Sequence, residues 1–486
     1  MTLEKDLESY VSSVIDNHKL KKIDRKKIIR DAVFGTHELS PLEVSILDIP
    51  FVQRLRGISQ TALACFTYPS ATHNRFEHSL GVSIMASRIG KALGNMVDEK
   101  TILELRIAGL LHDIGHGPFS HGSEEAIRDL DDVKNALVAD NRFSIWKPHE
   151  MISYKILQTS SFKDFFDELL KVYKRDEVDL QCISEMIIGH MTKKKENQYK
   201  ADIINGPFDA DKLDYLTRDS YFTGLKMAID IERILVTQMI DIRENKIRRI
   251  IVDMGGVHIL EQIRFSKMLL YPSVYHHHKV RSALCMMQSI FEIIRDNELT
   301  VGEMNFKKAS HFLSVDDHFF LTESQKPAEV AEQIRRIKQR NLLKRALVIS
   351  RKTVKTEEGF DRLLALRDRP SSLREIAKEM AKDKRLNKKC TYHDIWVDIP
   401  ENPRFPEPSQ CLVKVTDTVF LPLDEFFPVA EWTSSFEINK WRGFIISPPE
   451  FQKTVADIGE EMLDSLFKLK LNKQARILAK HASYAG

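Results

Sequence analysis

Four short segments concentrate side chains that bind metal and move protons: HNRFEH at 73–78, HDIGHGPFSH at 112–121, PHE at 148–150 and DADKLDYLTRD at 209–219. A His-Asp doublet set in apolar text costs on the order of several kcal/mol to bury unless something compensates both side chains. A divalent cation does so. Two histidines and two aspartates make a mixed nitrogen and oxygen shell that leaves coordination positions open for water and substrate oxygens. Such a shell suits Mn, Fe or Zn, and the residue types do not choose among them. Any one of these histidines alone reads equally well as a helix cap or a satisfied core residue. The four segments taken together do not.

Helices have to hold these groups. Leu80, Ile84, Ile89 and Leu93 recur at helical spacing, and Leu103, Ile107, Leu110, Leu111 and Ile114 repeat the pattern. Gly115, Gly117 and Pro118 are expected to end that second helix just past His112-Asp113. In the fourth segment Tyr215 and Asp219 fall one and two turns beyond Asp211, on one helix face. A hairpin is expected at 240–243, turned by Glu244 and Asn245, with 246–252 returning. Helix-rich text resumes at about 257 and runs through Gln333 to Lys344.

Beyond about 345 the pattern changes. RALVIS, HDIWVDI, CLVKV and RGFIIS read as short strands, 372–384 and 449–470 as helices, and the Pro-rich ENPRFPEP (401–408) as a loop. The expected fold is mainly α: a helical core with a short β-hairpin over 1–345, then a smaller α+β C-terminal lobe over 346–486. No catalytic pattern stands out in that lobe.

At 486 residues the chain exceeds what one hydrophobic core usually supports. Its hydrophobic share of 43% and charged share of 29% exclude a disordered or fibrous protein. The net charge of +3 is too mild to argue for a nucleic-acid partner. No stretch has the apolar length to span a bilayer, and the opening MTLEKDLESY is charged from its fourth residue, unlike a signal peptide. Cys65, Cys182, Cys285, Cys390 and Cys411 are scattered and form no CxxC pair, which suggests free thiols in a reducing compartment. The cytoplasm is the expected location.

The extended motifs HNRFEHSLGV, HDIGHGPFSH and DADKLDYLTRD, in this order, resemble the HD-domain deoxynucleoside triphosphate triphosphohydrolases over roughly 27–345. Within that family the resemblance is to the subgroup of the mammalian sterile-alpha-motif and HD-domain dNTPase and its stand-alone prokaryotic relatives. It implies an HD-domain helical core, with His78, His112, Asp113 and Asp211 as metal ligands. It implies that Arg75, Lys212 and Lys267 grip the triphosphate, an Arg fork and Lys point charges both suiting phosphate oxygens. Gln60, Tyr215 and Asp219 match deoxyribose contacts, Tyr275 a base-proximal tyrosine, and Thr61 replaces the usual leucine beside Gln60. His116, His121 and His149 match further active-site histidines, groups that titrate near neutrality and so can protonate a departing 5′-oxygen. Glu124 stands where the family has a supporting aspartate.

The resemblance also implies an activator site. Asp48, Gln53 and Arg56 in LDIPFVQRLR match positions that read guanine, an acceptor for its N–H groups and a donor for O6 being what that base edge requires. Lys27, Arg233, Arg340 and Lys344 match neighbouring nucleotide contacts, whereas VDMGGV replaces a basic pair expected before Ile259. A GTP or dGTP activator bridging a homotetramer is what this implies, with Mg accompanying the triphosphate as a further allowed ion.

The reading is therefore a metal-dependent dNTP triphosphohydrolase. One rival is an HD phosphohydrolase for a monophosphate or cyclic nucleotide, against which Lys212, Tyr215 and Asp219 speak. Another is a nucleic-acid-binding or regulatory HD protein, for which Lys193, Lys194, Lys195, Arg248 and Arg249 are the only support, and they read equally as solvated surface.

Overall fold

The computed structural model describes residues 2–140, 147–242, 246–322, 326–367, 369–401 and 411–480. The chain is mainly α with small β-sheets, as the periodicity implies. At its centre lies the helix Arg75–Ala92, buried on nearly every side through Leu80, Val82, Ile84, Met85 and Ile89. Small residues, Gly81, Ser83, Ala86, Ser87 and Gly90, alternate with the apolar ones and let neighbours pack on all its sides. Asn74 and Glu77 form a reciprocal capping box that fixes where it starts. The helix Glu99–Leu111 packs directly against it, and a Cβ at Gly109 would lie 2.6 Å from the Ser83 nitrogen, so only glycine permits that approach.

This second helix stops earlier than its sequence suggests. Leu111 is its last residue, His112 caps it, and Asp113 sits in the turn that follows. The hydrogen bond from His112 Nδ1 to the Gly109 carbonyl, 2.8 Å, uses an orphan acceptor of the last turn. The doublet is thus at a helix end, where side chains can converge with those of other elements.

The hairpin forms as β3 (Gln238–Ile242) and β4 (Arg248–Asp253), paired antiparallel with Gln238 opposite Val252; Arg243, Glu244 and Asn245 lie outside the described residues. A hairpin that periodicity missed, β1 (Lys27–Asp31) with β2 (Gly35–Leu39), precedes the core. RALVIS, HDIWVDI and RGFIIS become β5 (Lys344–Ile349), β6 (Trp396–Asp398) and β9 (Gly443–Ser447), one antiparallel sheet in the order β5-β9-β6. CLVKV goes elsewhere. As β7 (Leu412–Lys414) it pairs with β8 (Phe420–Pro422) and runs parallel to β4, extending the hairpin into a four-stranded sheet. Val413 is fully buried there, which a one-sided hairpin could not have offered. The helices expected at 372–384 and 449–470 form as Pro370–Ala381 and Gln452–Phe467. Most of the Pro-rich segment, 402–408, lies outside the described residues.

Around the β5-β9-β6 sheet a second apolar cluster gathers Leu347, Phe360, Leu363, Met380, Ile445 and Val455. The helix His278–Asp296 joins it to the main core: Arg281 pairs with Asp398 of β6, and Glu292 takes two 2.7 Å hydrogen bonds from Arg374.

Candidate metal centre and substrate cavity

Three elements converge on one point. His78 comes from the helix Arg75–Ala92, His112 and Asp113 from the end of Glu99–Leu111, and Asp211 from the first turn of Ala210–Thr223. His78 Nε2 lies 3.0 Å from Asp211 Oδ1, 3.3 Å from His112 Nε2 and 3.6 Å from Asp113 Oδ2. His112 Nε2 is 3.4 Å from Asp113 Oδ1. Ligands about 2.0–2.1 Å from one cation stand roughly 3 Å or slightly more apart.

The protonation pattern tests whether a cation fits. His78 Nδ1 hydrogen-bonds to Asp214 Oδ2 at 2.7 Å, and His112 Nδ1 to the Gly109 carbonyl. Each Nδ1 therefore carries the proton, and the two Nε2 lone pairs face each other across 3.3 Å. Something positive has to lie between them. A proton or a cation meets that need: burial opposes a charged His78, yet its hydrogen bonds to Asp211 and Asp214, with Asp113 nearby, lift it to about 10. Asp113 is held well below the usual carboxylate range by Arg75, His112 and His116, against its burial. The donor set fits a divalent cation, and its mix of imidazole and carboxylate admits Mn, Fe or Zn alike.

Asp214 was not singled out by sequence reasoning, although it follows Asp211 by one turn. It accepts from Arg218 as well as from His78, and Arg218 is itself paired with Asp31 at 2.9 Å. A Cβ at Gly81 would fall 1.8 Å from Asp214 Oδ1, so glycine is needed for Asp214 to reach His78. A carboxylate that orients a ligating imidazole in this way is a common device at metal sites.

Beside the centre stands a histidine group. His116 and His149 stack with ring centroids 3.7 Å apart. Glu124 joins His121 Nδ1, at 2.7 Å, to His149 Nδ1. It stays ionised because His121 and His149 outweigh its burial. One carboxylate thus serves both rings, one oxygen to each. His116 is fully buried and neutral, pushed far down by burial together with Arg75 and His149. Its ring nitrogens have no hydrogen-bond partner among the described residues, Nε2 lying 3.4 Å from Asp113.

The loop carrying these groups is strained. Phe119 and Ser120 both have positive φ, 57° and 52°, which non-glycine residues adopt only when the surroundings impose it. Asp317, also missed in the sequence, imposes it by accepting from the Phe119 nitrogen at 2.5 Å and the Ser59 nitrogen at 2.9 Å. Ser120 Oγ then accepts from Arg75 Nε at 2.8 Å, while Arg75 Nη1 meets Asp113 at 2.8 Å.

A cavity of about 400 Å³ opens over the centre. Gln60, Arg75, Tyr215, Asp219 and Tyr275 line it, as do His112, Asp113, His121, Glu124, His149 and Asp211. Asp219 accepts from His73 Nε2 at 2.7 Å and from the Tyr275 hydroxyl, and burial together with Asp219 keeps that phenol protonated. Lys212 and Lys267 are not among the lining residues: the Lys212 ammonium is turned onto Asp209, at 2.6 Å, and the Gly206 carbonyl, at 2.7 Å. Pro370, Leu373, Arg374 and residues 396–401 complete the wall, which no motif there suggested.

The expected activator residues are spread over the surface. Lys27 lies on β1, Asp48 caps the helix Pro41–Leu47, and Arg233, Arg340 and Lys344 are exposed. Gln53 and Arg56 do meet, Arg56 Nε donating to Gln53 Oε1 at 2.9 Å with its guanidinium 3.6 Å over the Phe76 ring. Among the described residues no helix is long and apolar enough to cross a membrane.

Comparison with known proteins agrees with this architecture. The family model for the HD domain matches residues 75–219, and that for the HD-associated region matches 229–474. An uncharacterized protein of Methanocaldococcus jannaschii is 27% identical over 92% of this chain and 83% of its own length. The deoxynucleoside triphosphate triphosphohydrolase SAMHD1 of Homo sapiens is 29% identical over 64% of this chain and 51% of its own. The SAMHD1 homolog of Dictyostelium discoideum is 31% identical over 65% of this chain and 59% of its own. The chain thus spans between half and three-fifths of the length of these two triphosphohydrolases.

Proposed function

This chain belongs to the HD-domain family, its HD domain followed by the HD-associated region, and we propose that it cleaves a dNTP to deoxynucleoside and inorganic triphosphate. One observation supports this reading: His112, Asp113 and Asp211 line the same cavity as the Asp219–Tyr275 pair. A triphosphate end and a sugar end can therefore be held at once.

His78, His112, Asp113 and Asp211 would hold the metal. A bound divalent cation would polarise a phosphoryl oxygen and supply an activated water. The protein's own groups do the rest. Arg75, fixed by Ser120 and Asp113, presents cationic charge to the phosphates. Asp219, its two oxygens already oriented by His73 and Tyr275, accepts from the sugar 3′-hydroxyl. His121 lines the cavity, and its bond to Glu124 puts the Nδ1 proton toward the carboxylate. As an imidazolium supported by Glu124 it gives the Nε2 proton to the departing 5′-oxygen. His116 and His149 order the water on the other side. Positioning and electrostatics supply most of the rate.

A second reading has one observation in its favour. Lys212 is committed to Asp209 and Gly206, and Lys267 lies off the cavity wall, so of the three family-matched phosphate cations only Arg75 faces the cavity, with Lys147 and Arg128 as further basic residues on its wall. A nucleotide with fewer phosphates fits that arrangement. The activator reading belongs here too: Asp48, Gln53 and Arg56 bind GTP or dGTP and so promote a homotetramer. Chromatography of products from each dNTP and from dNMPs, with and without GTP or dGTP, decides among these. Inorganic triphosphate as first product supports the proposal, and turnover of monophosphates alone removes it.

A further inference from the structure

We propose that the C-terminal lobe reads the nucleobase: the slot between the helix His278–Asp296 and strand β6 holds the base, and it selects bases that carry an exocyclic amino group. This rests on the dNTP reading above and identifies the part of the chain that would set its base preference.

The cavity does not end at the metal centre. It continues along one face of the helix, from Tyr275 past Val280 and Leu284 to Gln288. Val280, Leu284 and Gln288 are four residues apart, so they form a single stripe. Leu284 lies against the start of the His121–Arg128 helix: its Cδ2 is 3.2 Å from where a Cβ on Gly122 would stand, beside His121. The slot therefore opens on the reacting end. Opposite the stripe, Leu373 and Trp396 form an apolar roof.

That roof is rigid. The Arg374 guanidinium stacks 3.6 Å over the Trp396 ring and is locked by two hydrogen bonds to Glu292 and others to the carbonyls of Tyr392 and Ile395. Trp396 Nε1 donates to Ser289 Oγ at 3.1 Å. Floor and roof are tied by Arg281 Nε donating to Asp398 Oδ2 at 3.0 Å. Two apolar faces fixed by polar ties at the rim are what a flat aromatic ring requires.

The edges of the slot carry carboxyl groups among cations: Arg128, Arg281 and Arg374 line the same cavity, Arg281 held by Asp398 and Arg374 by Glu292. Asp398 and Glu125 both line it, and Glu125 accepts from Gln288 Nε2 at 3.0 Å. Burial, with Asp129 and Glu292 nearby, raises Glu125 to about 7. Glu125 keeps a carboxyl oxygen beyond the Gln288 bond that can accept from an N–H donor. Adenine, cytosine and guanine each offer an amino group. Thymine offers one ring N–H flanked by two carbonyls, so it is rejected by mismatch as much as by lost contact.

The test is the kcat/KM of the metal-loaded full chain for each of the four dNTPs, in wild type, Glu125→Leu and Gln288→Leu. In wild type dTTP should fall at least about tenfold below the other three, the scale expected of one buried polar contact. Either variant should narrow that gap to about threefold or less with metal content unchanged. Equal use of dTTP by wild type, or an unaltered ranking in both variants, overturns the proposal. Should wild type turn over no dNTP, the proposed function falls, and nucleoside binding then judges the slot separately. Quenching of Trp396 fluorescence by deoxycytidine but not thymidine, absent in Trp396→Phe, sustains it; no quenching, or equal quenching by both, overturns it.

Discussion

Arg54 and His116 are joined by a 2.5 Å hydrogen bond from the guanidinium Nη2 to the His116 backbone carbonyl. The same side chain reaches the carbonyls of Ile114, at 3.2 Å, and Val315, at 3.0 Å. Arg54 sits between Gln53 and Arg56, and Arg56 lies over Phe76, next to Arg75. The segment proposed to read guanine is therefore built into the loop and the helix start that hold the catalytic groups. A shift in one has to be felt by the other, since packed elements of this kind move as units.

This gives a two-part expectation for activation. Asp48→Ala leaves guanine N–H donors unpaired, at a cost of about 1–3 kcal/mol, or roughly 5- to 150-fold in activator affinity. Arg54→Lys keeps the charge but loses the fork, so GTP should still bind while its effect on rate drops several-fold. Activity and light scattering across a GTP and dGTP titration check both. Identical titrations for wild type and Asp48→Ala would remove the activator site.

His112→Ala and Asp113→Ala should each abolish metal binding and turnover. Elemental analysis and circular dichroism on the purified variants separate this from unfolding. Full activity in either variant would end the assignment of the centre.

Asp214→Asn removes the carboxylate that holds the His78 ring. We expect metal affinity to fall by about 10- to 100-fold, in line with other second-layer changes at metal sites. Competition with a chelator measures it. Unchanged affinity in a folded variant would mean that the ring is held by packing alone.

Burial pushes the His121 imidazole down, and the Glu124 carboxylate opposes that fall. Glu124→Gln withdraws that support, so the pKa of the proton donor falls. If His121 must be protonated to act, the limb on which kcat declines with rising pH should move to lower pH in the variant. A limb that stays in place would exclude His121 as the donor.

With a dNTP, the first phosphate product should be inorganic triphosphate, because attack is expected at the α-phosphorus. Asp219→Ala should raise KM for dNTPs and reduce discrimination against the matching NTP, since Asp219 and Tyr215 would no longer fix the sugar. Steady-state comparison of a dNTP with its NTP in both proteins measures this. Wild type hydrolysing both equally would contradict the role.

Much of the centre could be read from the sequence alone. The HNRFEH, HDIGHGPFSH and DADKLDYLTRD motifs single out His78, His112, Asp113 and Asp211, side chains that the fold brings near one another, and helical spacing puts Asp211, Tyr215 and Asp219 on one face, because those relationships are local and periodic. Other features are decided only by tertiary structure. Asp214 bonds His78 across 136 positions, Asp317 clamps Phe119 across 198, and Asp398 meets Arg281 across 117. Periodicity carries no information about such partners. The same limit hid the pairing of CLVKV with the hairpin and the roof that Trp396 places over the cavity: a short apolar run states that it will be buried, and only the folded chain states against what.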